Sequence, residues 1–157
     1  MLTLLAGVAV PQAITTFERP RTLAAARYLA SRMTRARTEA VMRSRTVAFR
    51  LSPDGDTLLV EEFVDGNRNG VRTAEILSGV DPPAAAPMRL SDRFPRISGD
   101  LSGAVLMSFT PYGTATSRTV TLRGADGSQY AVRVLGASGR TRVLRYDTAT
   151  GDWVDAL

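Results

Sequence analysis

The chain has 157 residues, 44% of them apolar, so it is long enough for one domain with a hydrophobic core. It contains neither cysteine nor histidine, which excludes disulfides, thiolate nucleophiles, cysteine-bound metals and imidazole as general base or zinc ligand. All 20 basic residues are arginine, and the net charge is +5. Residues 1–50 carry a charge of +7 and residues 51–157 carry −2, so the basic N-terminal part suits a membrane surface, a nucleic acid or an acidic partner.

The chain begins with an apolar run over residues 2–10, which Pro11 follows. The run has about nine residues, whereas a helix that spans a membrane needs about 20. We therefore expect that the run does not cross a bilayer as it stands. It is similar to the last part of a membrane helix whose first part is missing. Either the start codon is assigned too late, or the chain has been cut, or the protein cannot be processed, and we favour the late start. The alternative is a short buried helix at the N terminus.

A helix is predicted over residues 21–45. Apolar residues recur there in steps of three and four, which makes one face that can pack on a core. Much of that face is alanine, so another element can approach the helix closely. The positions on this face are Leu23, Ala26, Ala30, Met33, Ala36 or Arg37, Ala40 and Val41.

Residues 46–157 predict strands and turns. Alternating apolar and polar residues flank a Pro-Asp-Gly turn, which indicates a hairpin, and further alternating segments follow a proline-rich surface segment at 79–93. Antiparallel hairpins packed on one helix make an α+β fold. The segments predicted as strands are 46–51, 57–64, 104–109, 118–123, 130–135 and 140–146.

The stretch after the first hairpin resembles the start of a calcium loop. Oxygen side chains stand at its first, third and fifth places and a glycine at its sixth, as in an EF-hand. The closing carboxylate, however, is at the eleventh place rather than the twelfth, and two of the first three ligands would be neutral asparagines. A turn held by side-chain hydrogen bonds is the favoured interpretation, and a weak calcium site is the alternative. The candidate ligands are Asp65, Asn67, Asn69 and Glu75.

Taken in order, these features resemble the GspH/FimT family of minor pilins and pseudopilins. The apolar run resembles the latter half of the pilin membrane helix, so residues 1–20 are interpreted as the C-terminal part of that helix and residues 21–157 as a periplasmic pilin-like domain. Other segments resemble the family's "A-R-x-E-A" helix, its "F-x-D-x-N-x-N-G … E-I-L" loop, and its "F-x-P-x-G" and "G-R-x-R" segments. They are residues 36–40, 63–70 with 75–77, 109–113 and 139–142.

The resemblance implies a long N-terminal helix packed on a small antiparallel β domain, with no cofactor. It also implies a subunit that helps to initiate or cap a type II secretion pseudopilus or a type IV pilus, and that contacts other subunits through its N-terminal helix. Before assembly, such a subunit is anchored by one span in the bacterial inner membrane, with its β domain in the periplasm. The family's basic leader, peptidase site and early glutamate are not found in this sequence, so prepilin peptidase is an expected partner only if such a leader exists.

A second function follows from the same resemblance. FimT-type members of the family are implicated in DNA uptake, with the "G-R-x-R" segment as the implied contact. Arginines that project from one bend can hold phosphates without reading base sequence, so double-stranded DNA is a candidate partner. The alternative is that these arginines are solvated on a strand, or that Arg140 pairs with Asp147 or Asp152. The candidate contacts are Arg133, Arg140, Arg142 and Arg145.

An enzyme is the third hypothesis and the least favoured. Five carboxylates lie close together in the sequence and could pair as acid and base. Four of them lie on or beside a hairpin turn, where solvated carboxylates are ordinary, and no serine, cysteine or histidine constellation accompanies them. We therefore predict no catalytic site. The five residues are Asp54, Asp56, Glu61, Glu62 and Asp65.

Overall fold

The structure is a computed structural model that describes residues 9–156, with side chains from residue 19 onward. The apolar run at 2–10 thus lies outside the described residues, apart from the backbone of its last two. Within the described part, one long helix precedes nine strands and two short helices. The elements are α1 (Ala9–Arg43), β1 (Val47–Asp54), β2 (Thr57–Val64), α2 (Thr73–Ser78), β3 (Met88–Arg89), α3 (Leu90–Arg93), β4 (Ile97–Asp100), β5 (Val105–Phe109), β6 (Arg118–Gly124), β7 (Gln129–Val134), β8 (Thr141–Asp147) and β9 (Asp152–Asp155).

The strands form two antiparallel sheets, in the orders β3-β2-β1-β5 and β4-β6-β7-β8-β9. Helix α1 packs against strands of both sheets, so the predicted α+β, pilin-like arrangement is confirmed. The division into two sheets was not predicted, because alternation shows which residues share a face but not which strands pair. The proline-rich segment 79–93, expected as a surface loop or edge excursion, contributes β3 and α3.

Helix α1 is longer than the helix predicted over 21–45. It already includes Ala9, the first residue that the structure describes, runs through Pro20 without a break and ends at Arg43. A proline inside a helix removes one backbone hydrogen bond, which weakens the helix locally but need not end it. The basic segment and the residues before it therefore form one continuous element.

One face of α1 is fully buried against the sheets. It consists largely of small residues, with Leu29 and Met33 as the large ones. Of the residues predicted on this face, Ala26, Met33, Ala36 and Ala40 are buried. Leu23 and Ala30 are only partly buried, and Val41 is 46% exposed. Small side chains let the helix axis lie close to the strands, so the face is narrow and its edges reach solvent. The buried positions are Thr22, Ala25, Ala26, Leu29, Met33, Ala36 and Ala40.

A buried ion pair joins α1 to the first sheet. The Arg32 Nη2 atom lies 2.8 Å from Glu62 Oε2, and their side chains are 14% and 1% exposed. Glu62 lies opposite Phe49 in the ladder and faces the core with it. The expectation that Glu62 is a solvated carboxylate beside the hairpin turn is therefore wrong. Burial by itself lowers the pKa of Arg32, but the hydrogen bonds and charges of Glu62 and Tyr28 together outweigh burial and raise that pKa above its ordinary value.

Helix α1 ends in a Schellman cap. The amide of Arg45 donates to the Ala40 carbonyl at 3.2 Å, and the amide of Ser44 donates to the Val41 carbonyl at 3.4 Å. This cap places Ser44 at a φ of 52°, in the left-handed region that glycine usually occupies. The exposed Ser44 therefore holds a conformation that is costly for its residue type, in exchange for an abrupt turn into β1.

Replacing Ser44 by glycine should stabilise the protein, because glycine adopts positive φ without a Cβ clash. We expect the free energy of unfolding to rise by about 0.5–1 kcal/mol in urea denaturation. The matched control is Ser31→Gly, at an exposed position in the middle of α1, which should lower stability by roughly 0.5 kcal/mol. A loss of stability in Ser44→Gly would contradict the cap interpretation.

Replacing Glu62 by glutamine should destabilise the protein strongly, because the buried Arg32 guanidinium would lose its counter-charge. We expect a loss of about 3 kcal/mol in the free energy of unfolding. Glu39 offers the comparison, since it forms an exposed ion pair with Arg43 at 3.0 Å one helical turn away. Glu39→Gln should lose no more than about 0.5 kcal/mol. Equal losses for the two variants would show that the Arg32–Glu62 pair behaves as if it were solvated.

Candidate functional site

The loop after β2 is organised around the carboxylate of Asp65, which is 2% exposed. Its Oδ1 atom accepts the amides of Asn67 at 3.1 Å and Arg68 at 2.7 Å, and its Oδ2 atom accepts the amide of Gly70 at 2.8 Å. A carboxylate that accepts several backbone N–H groups stabilises a tight turn. Gly70 and Arg68 supply positive φ angles of 90° and 69° in the same turn.

A second buried carboxylate, Asp81, holds the far side of this loop. Its two oxygens accept the amides of Gly66 at 3.0 Å and Arg72 at 2.9 Å. Sequence reasoning missed Asp81, because it stands before two prolines in a segment interpreted as surface. Its side chain is nevertheless 1% exposed. The segment after it runs beside β2, where the Pro82 carbonyl accepts the Val64 amide at 3.0 Å.

The side chains of Asn67, Asn69 and Glu75 come together on the outer side of the loop. Both asparagine amides donate to Glu75 Oε1, at 3.2 and 2.8 Å, while Glu75 Oε2 is buried without a hydrogen-bond partner. The four candidate calcium ligands are thus neighbours, although the Asp65 oxygens face backbone amides. Across residues 9–156, no group of three or more carboxylates is arranged to hold a metal ion. Calcium binding by this loop stays a prediction.

Calcium provides a direct test of the two interpretations of this loop. If the loop is a turn held by its own hydrogen bonds, about 5 mM calcium will leave the unfolding temperature unchanged. A site with a dissociation constant of about 1 mM would instead add roughly 1 kcal/mol of stability and raise the melting temperature by about 2–4 °C. A rise in the native protein that is absent from Glu75→Gln would establish the calcium site.

Three of the four candidate DNA-contacting arginines lie on one exposed face of the second sheet. Arg133 and Arg142 are opposite one another on β7 and β8, so their side chains project to the same side. Arg140 stands two residues before Arg142, and the Leu135 amide donates to its carbonyl at 2.9 Å, which continues the ladder. We call Arg133, Arg140 and Arg142 the arginine patch.

Arg145 does not belong to the arginine patch. It pairs in register with Tyr130, which is 6% exposed and part of the main core, so Arg145 projects from the opposite face of the sheet. There it lines a polar recess with Arg19 and Asp126. Arg145 is three residues after Arg142 on β8, and an odd spacing puts two side chains on opposite faces because side chains alternate along a strand.

The arginine patch has no ionic partner among the described residues. Arg133 Nε lies 3.3 Å from Thr119 Oγ1, and the Arg140 backbone amide lies 3.4 Å from Ser138 Oγ. The alternative pairing of Arg140 with Asp147 or Asp152 is not found among the ion pairs of the described part of the chain. The three exposed guanidinium groups are therefore available to an anionic partner.

Three of the segments that suggested the family meet at one point. Arg37, from the helix segment, donates from Nε to the Gly113 carbonyl at 3.1 Å. Gly139, at the start of the "G-R-x-R" segment, packs against both of them. Their proximity could not be read from the sequence, because the three residues are about 25 to 100 positions apart. We call Arg37, Gly113 and Gly139 the Arg37 junction.

The carboxylates considered for catalysis are dispersed. Arg89 lies 2.7 Å from Asp54, and Arg50 forms two hydrogen bonds to Glu61 at 2.7 and 2.8 Å, which raises the pKa of Arg50. Glu62 faces the core from the same strand, and Asp65 holds the loop described above. These groups stabilise structure separately and do not converge on a common site.

A long N-terminal helix packed against small antiparallel sheets is a pilin-like arrangement. The family model of the type II transport protein GspH matches residues 25–139, which includes the helix segment, the Asp65 loop and the 109–113 segment, and ends at Gly139. The chain belongs to the GspH family of type II secretion pseudopilins, which are structural proteins and not enzymes. Neither the curated proteins nor the solved structures gave a match to this chain.

Members of this family are components of the inner membrane and the pseudopilus, where they assemble with other pseudopilins. In the described part of this chain, none of the helices combines the length and the apolar character that a membrane crossing requires.

Proposed function

We propose that this chain is a minor pseudopilin that helps to initiate or cap the type II secretion pseudopilus. The observation that supports this proposal is the two-sided character of α1. One face of the helix is buried against the sheets, and between residues 24 and 38 the opposite face is exposed and carries small or polar side chains. These exposed positions are Ala24, Arg27, Ser31, Thr34, Arg35 and Thr38.

In this proposal, the exposed face of α1 contacts neighbouring subunits. Small side chains permit close approach between helices, and Arg27 favours a neighbour with acidic groups at its surface, whereas Arg35 already lies 3.8 Å from Glu62. The part of the chain before residue 21 acts as the end of a single membrane anchor before assembly, and residues 21–157 form a periplasmic domain. Prepilin peptidase is a further partner if a leader precedes the apolar run.

The filament role is tested in the bacterium that carries this gene, with type II secretion and pseudopili measured together. Deletion should reduce the number of pseudopili while the remaining ones keep their length, because an initiating subunit acts once per filament. Overproduction should shorten the filaments if the subunit caps them. Filaments reduced in length but not in number after deletion would indicate an elongating subunit and contradict the proposal.

A matched pair of variants locates the contact surface in the same assay. Thr34→Arg puts a long side chain on the exposed face of α1 and should lower both filament number and secretion. Thr148→Arg makes the same change in an exposed turn after β8 and should leave both unchanged. If the two variants behave alike, the exposed face of α1 is not the assembly surface.

A second candidate function is DNA binding through the arginine patch, as in DNA uptake. The observation that favours it is the absence of an ionic partner for Arg133, Arg140 and Arg142 in the described part of the chain. Arg145, which the sequence also predicts as a contact, projects from the opposite face of the sheet and therefore serves as a comparison. Three phosphate contacts would give weak affinity that depends steeply on salt.

DNA binding is measured with a double-stranded oligonucleotide across a salt series. If the patch binds phosphates, the logarithm of the affinity should fall with the logarithm of salt concentration, with a slope of about −0.9 per phosphate contact. The Arg140→Ala/Arg142→Ala variant should reduce that slope by about two units. Arg145→Ala should retain the native slope. Equal binding by all three proteins would assign any affinity to the basic helix instead.

A further inference from the structure

We propose that Arg37 is a positioning residue that holds the β7–β8 turn and thereby sets the direction of Arg140 and Arg142. Arg37 lies on α1, yet its side chain crosses to the turn between β5 and β6, where Nε donates to the Gly113 carbonyl at 3.1 Å. A hydrogen bond from a charged donor is roughly twice as strong as a neutral one. The half-buried Arg37 therefore ties the helix to the far turn.

The second half of the junction is Gly139. A Cβ atom at this position would lie 2.5 Å from the Gly113 carbonyl oxygen and 2.8 and 2.9 Å from Arg37 Cδ and Nε. Gly139 also has a positive φ of 60° and is buried. No side chain larger than hydrogen fits there unless Arg37 or Gly113 moves, so these three residues interlock.

Gly139 and Ala115, which lies two residues after Gly113, both bind the β7–β8 turn. The Gly139 amide donates to the Leu135 carbonyl at 2.7 Å, and the Ala115 amide donates to the Gly136 carbonyl at 2.8 Å. Arg140 follows Gly139 directly, and Arg142 is the second residue of β8. A displacement of Gly139 therefore changes the direction of the backbone from which both arginines project.

Arginine suits this position better than lysine. Its planar guanidinium can donate from Nε to Gly113 while its two outer nitrogens keep their charge near the turn, whereas lysine presents one compact ammonium at the end of the chain. The charge of Arg37 then adds to that of Arg140 and Arg142 at the same end of the domain. Any effect of Arg37 on DNA binding rests on the second candidate function, whereas the positioning of the turn by Arg37 is a property of the free protein.

The test is amide hydrogen exchange in the full chain without any partner. In Arg37→Ala, the amides of Gly113, Ala115 and Gly139 should exchange about tenfold faster, since their local opening would no longer break the Arg37 bond. The amides of the β1–β2 hairpin should keep their rates. Arg27→Ala, at an exposed site on the same helix, should leave the turn amides unchanged. Unchanged turn amides in Arg37→Ala, or an equal rise across the whole domain, would overturn the proposal.

Arg37→Lys adds a measure that a general loss of packing would not reproduce. It should restore protection of the Gly113 amide only in part, because an ammonium can reach the carbonyl but cannot fill the space of the planar group. Full restoration, or none, would show that the shape and charge of the guanidinium are not what holds the turn.

Gly139→Ala offers an independent test, with Gly55→Ala as its matched control. The two glycines have nearly the same φ, 60° and 61°, but a Cβ at Gly55 would meet nothing within 4 Å. The strain that comes from positive φ is thus similar in the two variants, and only Gly139→Ala should accelerate exchange at Gly113. In an Arg37→Ala background, Gly139→Ala should change the unfolding midpoint less than it does in the native protein. Gly55→Ala should change the midpoint by the same amount in both backgrounds. Additive effects in both combinations would contradict the interlock.

DNA binding separates this proposal from the function on which its consequence rests. If the native protein does not bind DNA, the second candidate function fails, and the exchange measurements still decide the role of Arg37. If the native protein binds and Arg37→Ala loses the turn protection without losing affinity, the arginines do not depend on the junction and the positioning proposal fails. Loss of both properties together supports it.

Discussion

The structure depends on how closely α1 can lie against two sheets at once. Ala25, Ala26, Ala36 and Ala40 have no exposed surface, and their short side chains leave room for strands from both sheets along one helix face. Close-packed interiors tolerate little change in volume, so a larger residue at any of these positions would push the sheets apart. The buried Arg32–Glu62 ion pair lies within the same contact between helix and sheet. Removing either partner would leave a buried charge unpaired and would lower stability. Everything that the β domain presents to a neighbour is oriented by this packing.

The end of α1 shows how that orientation is carried to the turns. The Schellman cap at Ser44 ends the helix abruptly and directs the chain into β1. Arg37, less than two helical turns earlier, contacts Gly113 in the turn between β5 and β6. One helix end thus determines the start of the first sheet and the conformation of a turn in the second. The segments that resemble the family motifs are distant in sequence but adjacent here, which gives them a common structural role in addition to any contact they make with partners.

Side-chain alternation decides which charges are available to those partners. Two adjacent residues of β2 project to opposite faces of the first sheet. Glu62 projects into the core, and Glu61 pairs with Arg50 on the other face. The same alternation puts Arg142 in the arginine patch and Arg145 on the other face of the sheet. Charge counts along the sequence therefore overstate the size of any basic contact surface, and the local arrangement of three exposed arginines is the relevant unit for phosphate or carboxylate recognition.

The sequence by itself determined the class of fold, the long helix, the position of the first hairpin, the absence of cysteine and histidine chemistry, and the family. These follow from local properties: periodicity, turn residues, composition and the order of short motifs. Only the tertiary structure decided that the strands form two sheets, that Asp81 and Glu62 are buried, and that Arg37 meets Gly113 and Gly139. The reason is that strand pairing and side-chain contact join residues that are far apart in the chain, and alternation alone cannot say which face becomes the core. A single-residue change in register reverses that choice, and only packing against α1 selects between the two.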